Sequence, residues 1–254
     1  MPQGLFKEGF IFDLKGGIEN PNQKYVLINK DKIQLQADFS FETAVSLNVG
    51  QNTIQIESGP VTKKFNLYVL PQLSYYQSHW SLPALKRLIA LGLIDEASIK
   101  LPNARLNRAD FSVFLARALK LNSSGKVELP FQDVLPHHAW YKEVKLLYKN
   151  EILKGNGSYF LPQKSLSKIE ALVAIMRADQ VTVRLSDLKL PYQDIDNRFE
   201  WAIPYLQQAL KANLISEAQY FYPNKVITFS EFVTLLYRSK NVQRILRSLD
   251  ETQT

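Results

Sequence analysis

Two rhythms of apolar and polar positions divide this chain of 254 residues. From Phe10 to Leu70 they alternate in short runs: Phe10-Ile-Phe12-Asp-Leu14, Lys24-Tyr-Val-Leu-Ile28, Lys32-Ile-Gln-Leu-Gln36, Phe39-Ser-Phe41, Ala44-Val-Ser-Leu47, Thr53-Ile-Gln-Ile-Glu57 and Lys64-Phe-Asn-Leu-Tyr-Val-Leu70. A period of two puts one strand face in a core and the other in water. Gly16-Gly17, Asn20-Pro21-Asn22, Gly50-Gln51-Asn52 and Gly59-Pro60 separate the runs. Strands punctuated so closely by turn residues predict an antiparallel all-β sandwich over residues 1–71. After Pro71 the apolar spacing lengthens to that of amphipathic helices.

The helical part repeats. Trp80, Trp140 and Trp201 stand 60 and 61 residues apart, as do Pro102, Pro162 and Pro223. A fixed period of this length is the mark of stacked supersecondary units. The copies run over 72–126, 127–187 and 188–254, the last with an added amphipathic helix through Val242, Ile245, Leu246 and Leu249. Each copy predicts two helices. The first follows the tryptophan, with Pro83 and Pro204 in a first turn that tolerates proline. It ends near Gly92, Asn150-Glu151 and Asn213, residue types that take a left-handed helix end readily. The second starts four residues after the proline, at Leu106-Asn107-Arg108, Leu166-Ser167-Lys168 and Ile227-Thr228-Phe229. Asn107, Ser167 and Thr228 are N-caps, with Asp110, Glu170 and Glu231 three residues on; the preceding Leu or Ile suits a hydrophobic staple.

Charge sharpens this division. Residues 1–71 balance seven Lys against seven Asp and Glu, so the whole net charge of +7 lies in the helical part. That points to an anionic partner, against the plainer reading of a solvated basic face. Cysteine is absent, which excludes disulfides, thiol nucleophiles and cysteine-ligated zinc. No apolar run approaches the ~18 residues of a membrane helix. The N-terminus lacks a basic-then-apolar signal pattern, so an exported form would have lost its leader upstream.

The strand segment, on Leu14-Lys-Gly-Gly-Ile-Glu-Asn20, Phe39-Ser-Phe41 and Val49-Gly-Gln-Asn-Thr-Ile-Gln-Ile56, resembles the small immunoglobulin-like modules of bacterial surface proteins and glycoside hydrolases. The helical part carries Phe131-Gln-Asp133-Val and Tyr192-Gln-Asp194-Ile openings, His79-Trp80, Gly92-Leu-Ile, Phe160-Leu-Pro162 and Phe221-Tyr-Pro223. With its triplication and capped helix starts, it resembles three tandem S-layer homology modules. The expected fold is therefore multidomain: a small all-β Ig-like sandwich, then an all-α pseudo-threefold trimer of helix–loop–helix repeats around a central helical bundle.

The resemblance implies noncatalytic attachment to the cell surface outside the cytoplasm. The partner would be an anionic, often pyruvylated secondary cell-wall polysaccharide or a peptidoglycan-linked polymer, held in grooves between modules. It also implies which residues do this: the basic residue opening the second helix, the tryptophan, the opening aspartate and backbone at the glycine. Carried over, these are Arg108 and Lys168, Trp80, Trp140 and Trp201, Asp133 and Asp194, and Gly92. A guanidinium meets a carboxylate bidentately, a helix start adds positive potential, and an indole packs a sugar's apolar face. Arg108 is the leading candidate. Lys168 is a point charge, Phe229 removes the cation from the third copy, and Leu73 stands where the first copy's aspartate would be.

Plainer roles compete: the tryptophans as core anchors, the aspartates as loop caps, Arg108 as a solvated first-turn residue. An alternative function is a degenerate scaffold assembling envelope proteins. Catalysis is not expected, because Asp133 and Asp194 occupy equivalent places in different copies and no nucleophile motif or phosphate loop appears. His79, His137 and His138 lack the further ligand a metal site needs, and no cofactor is implied. The aromatics follow core periodicity rather than interleaving with basic residues, which argues against nucleic acid.

Overall fold

Among the described residues the alternating runs of the first seventy residues become six strands, the runs at Phe39 and Ala44 falling on one, and a further short strand precedes them; pairing is not written in the alternation. The strands are β1 (Phe6–Lys7), β2 (Ile11–Gly17), β3 (Tyr25–Ile28), β4 (Asp31–Gln34), β5 (Ser40–Ser46), β6 (Gly50–Ser58) and β7 (Val61–Val69). The computed structural model describes residues 6–7, 9–20, 22–121 and 127–251. Five strands form one sheet in the order β1-β7-β6-β3-β4, and β2 and β5 form a second. The hairpin from β3 to β4 turns through Asn29 and Lys30, both at positive φ, which matches the right-handed twist of the strands it joins. Gly59, also at positive φ, and Pro60 close β6 onto β7. Leu14, Val26, Ile28, Phe41, Leu47, Ile54, Leu67 and Val69 make the core of this unit. A Cβ on Gly16 would stand 2.6 Å from Phe41 Cζ, so the absent side chain is what lets that ring pack down.

The helices are α1 (Leu82–Ala90), α2 (Arg108–Ala118), α3 (Tyr141–Lys149), α4 (Lys168–Ala178), α5 (Ile203–Lys211), α6 (Phe229–Arg238) and α7 (Lys240–Glu251). The caps lie where the sequence predicts. Ser167 and Thr228 form reciprocal capping boxes with Glu170 and Glu231. Asn107 caps α2 by accepting from the Asp110 N–H, but Asp110 turns instead to Lys100, 3.1 Å away.

The chain's two units are not an all-β module followed by an all-α one, and the expected fold class is corrected on three counts. One unit comprises Met1–Leu73 together with Lys86–Gly92, so it includes helix; the other is Ser74–Leu85 with Leu93–Thr254. The larger sheet is not wholly antiparallel, since β1 runs parallel to β7. The second unit is organised not by helices alone but by extended segments. The Leu106 N–H donates to the Ile227 carbonyl at 3.1 Å, Ile227 to Leu166 at 3.0 Å and Leu166 to Leu106 at 3.0 Å. These three donors and acceptors close a ring, flanked by the antiparallel bridges Arg105↔Thr228, Asn107↔Ser165 and Ser167↔Val226. Leu106, Leu166 and Ile227 are fully buried. Helical periodicity carried no sign of this, because the ring uses the one or two residues before each N-cap.

The ring has a second tier. Arg108 and Ala109 N–H groups reach the Lys164 and Pro162 carbonyls, Lys168 and Ile169 reach Lys225 and Pro223, and Phe229 and Ser230 reach Ala104 and Pro102. The N-terminal donors of α2, α4 and α6 are thereby satisfied by the neighbouring turn, as buried helix ends require. Beside the ring, Phe111 and Phe114 of α2 pack against Phe229 and Phe232 of α6 at centroid distances of 5.1–5.9 Å.

Candidate functional site

Each turn that leads into the ring is fastened by a small clamp. In one, Asp133 accepts the Phe160 N–H at 2.8 Å and the Leu161 N–H at 2.7 Å, one on each carboxylate oxygen. The Phe160 carbonyl accepts from Arg108 Nε at 2.7 Å, and Arg108 Nη2 reaches the Lys154 carbonyl at 2.6 Å. The guanidinium also lies 4.5 Å from the Phe160 ring centroid. In the next, Asp194 accepts from Phe221 and Tyr222 N–H at 2.8 and 2.6 Å, and Lys168 Nζ donates to the Phe221 carbonyl at 2.9 Å over the Phe221 ring. Leu161 and Tyr222 both adopt positive φ, a conformation costly to a side-chain-bearing residue that the carboxylates hold in place.

The third position is rebuilt. Leu73, Lys100 and Phe229 stand where the other two clamps have aspartate, phenylalanine and cation. Here Tyr76 supplies the missing donor: its hydroxyl donates to the Lys100 carbonyl at 2.6 Å. Burial pushes the Tyr76 phenol up to about 12, so it stays a donor at any physiological pH.

Arg108 is therefore a built-in part, only 8% exposed. Burial lowers its pKa, and nearby Glu170 and Asp133 act in the opposite sense. Lys168 differs: it makes the same kind of clamp yet lines an open cavity of about 280 Å³. Trp80 lies on the same cavity, as do Tyr192, Tyr220, Thr234 and Arg238. Trp80 is 59% exposed, far too open for a core anchor. Thr234 Oγ1 is buried without a hydrogen-bond partner among the described residues. An ammonium has three donors, and only one of Lys168's has a described partner. Burial pushes the Lys168 ammonium below the usual lysine range; Glu231 and Asp194 pull it back, and Lys225 adds to the lowering. The cavity thus combines a partly desolvated cation with exposed aromatic surface. Glu231, also on its wall, is tied to Thr228 and Lys225.

The other candidates fall elsewhere. Trp201 is 50% exposed. Trp140 stands at the N-cap position of α3 without a side-chain capping bond and stacks on His138, centroids 4.4 Å apart. His79 lies 5.2 Å from Trp80 and hydrogen-bonds Ser81, which continues to Ser230. Gly92 belongs to the strand-bearing unit and ends α1 at positive φ; Glu151 and Asn213 take the same conformation at the equivalent helix ends. The positive helix ends expected to receive an anion are occupied by the second tier of the ring. Sequence reading missed Tyr76, Tyr220, Thr234 and Arg238. Only Tyr220, alternating with Tyr222 ahead of Pro223, left a visible signal.

The chain is 29% identical over 161 residues to an endoglucanase of Bacillus sp. (strain KSM-635), a match covering 59% of this chain and 16% of that enzyme. Among the described residues no helix is long and apolar enough to cross a membrane. Residues 130–172, the stretch carrying Asp133, Trp140, the Phe160 clamp and Lys168, match the S-layer homology domain, a noncatalytic module of cell-wall anchoring and envelope association.

Proposed function

We propose that this chain holds its protein to the cell wall by binding an anionic wall polymer in the cavity of Lys168 and Trp80. The polymer is a secondary polysaccharide bearing carboxylates such as pyruvate ketals, or a peptidoglycan-linked equivalent, and the site lies outside the cytoplasm. The three copies at 72–126, 127–187 and 188–254 act as three modules of one kind, and residues 1–71 act as a spacer. The observation that carries the reading is one cavity lined by a partly buried ammonium and the exposed Trp80 indole. A carboxylate takes the free N–H donors of Lys168, and the sugar ring lies against the indole. Arg108, engaged on two carbonyls, shapes the fold rather than the ligand contact.

The test is a pulldown on purified walls before and after chemical removal of the secondary polysaccharide. Trp80→Ala and Lys168→Ala are expected to lose most wall binding while remaining folded. Retention equal to that of the unaltered protein, or on stripped walls, refutes the reading.

A further inference from the structure

A second cleft lies along α7, outside every residue singled out so far except Arg238. It encloses about 370 Å³ between the end of α4, α5 and α7. Arg238, Lys240, Arg244 and Arg247 all line it and all are exposed. On α7 the last three fall at i, i+4 and i+7, one helical face, while Val242 and Leu246 are buried in the unit. Four cations around one cleft repel one another unless something negative sits among them. One acid on the wall, Asp179, offsets part of this: it is buried, its two oxygens accept the Lys240 and Asn241 N–H groups at 2.7 and 2.9 Å, capping α7, and its charge acts on Lys240 and Arg244. One carboxylate among four cations still leaves the cleft positive. Among the described residues none of the four cations forms an ion pair. Met176, Val181 and Leu214 give the cleft an apolar floor, and Gln208 adds an amide.

Two residues, Leu214 and Arg238, line both this cleft and the cavity of Lys168 and Trp80. The two spaces share a wall. We propose that the α7 cleft is an oxyanion site, for carboxylate or phosphate groups on a glycan chain. In the wall it takes the next charged group of the polymer whose first group sits at Lys168. That continuity rests on the anchoring reading above; the oxyanion site itself does not.

The experiment follows the arginine Nε–H signals by NMR in the whole chain, titrating inorganic phosphate and, separately, pyruvate. The Arg244 and Arg247 signals are expected to move along saturating curves. Stronger saturation by one probe identifies phosphate or carboxylate as the preferred group. The double variant Arg244→Gln/Arg247→Gln changes two exposed side chains, so its circular dichroism should match that of the parent. It should bind long wall polysaccharide about tenfold more weakly, the size of one lost charge-assisted hydrogen bond. Saturating shifts with no wall binding by the parent would leave the oxyanion site standing and remove the anchoring reading. Wall binding that depends on Lys168 but not on the double variant, together with non-saturating shifts, overturns the cleft proposal alone.

Discussion

Replacing Asp133 by Ala separates a brace from a ligand. Its two oxygens hold two consecutive N–H groups, of Phe160 and Leu161. Phe160 is buried, so its N–H would lose a charged acceptor with no water to replace it, at about 1.5–3 kcal/mol. Leu161 is exposed and recovers water, at about 0.5–1 kcal/mol. The sum is about 2–4 kcal/mol, which for a domain of this size lowers Tm by about 4–16 °C.

Differential scanning calorimetry gives the shift, and wall binding at a temperature well below both transitions gives the function. Asp133→Asn keeps one acceptor oxygen and should lie about midway. Asp194→Ala should resemble Asp133→Ala, because Phe221 and Tyr222 repeat the geometry. Asp196→Ala is the control: Asp196 accepts the Arg198 N–H and pairs with the Arg198 guanidinium at an exposed, local turn, so it should lower Tm by only about 1–4 °C. A Tm within about 2 °C of the parent for Asp133→Ala, combined with lost wall binding, would refute the brace and make Asp133 a ligand.

Tyr76→Phe leaves the Lys100 carbonyl without its 2.6 Å donor and should cost about 1–2 kcal/mol in a urea melt; no change would mean that water or another donor replaces the hydroxyl. Lys168 should make anion binding sensitive to alkaline pH. Its folded pKa lies below the ordinary 10.5 because burial disfavours the ammonium, so affinity should fall as pH rises through that lowered value, before an exposed lysine would titrate. The stability sign is opposite: the cost of burying the charge is present below the folded pKa and is relieved as pH climbs toward 10.5. Lys168→Arg should remove the alkaline loss of binding, and a profile unchanged by it would detach the titration from this residue.

The order of elements was legible because each depends on neighbours in sequence. The N-caps at Asn107, Ser167 and Thr228 and the strand alternation from Ile11 to Val69 are local facts, set by periods of 3.6 and two. Pairing is not local. Nothing in Phe6-Lys7 announces a strand running parallel to Tyr68-Val69, and nothing in Leu106 announces a bond to Ile227. The repeat contained half of the answer: it identified 106, 166 and 227 as equivalent, but equivalence does not say that the three copies bond to one another head to tail.

The same limit explains why Arg108 looked like the ligand residue. A cation in a helix's first turn opposes the helix dipole, so from sequence it reads as placed there for an external anion. The ring changes the electrostatics. It brings the Phe160 and Lys154 carbonyls, 52 and 46 residues away in the chain, against the guanidinium, and sets Glu170 and Asp133 near enough to favour its charge. The negative partner is internal and made by the neighbouring copy. Lys168 carries the shorter, single-point version of the same clamp. Having one partner where Arg108 has two, and a cavity where Arg108 has packing, it is the cation left able to meet a ligand. Lys168→Arg should therefore strengthen the clamp while keeping the charge. It should raise Tm without weakening wall binding at neutral pH, whereas a loss of binding would mean that the longer side chain has closed the cavity, as Arg108 fills its own.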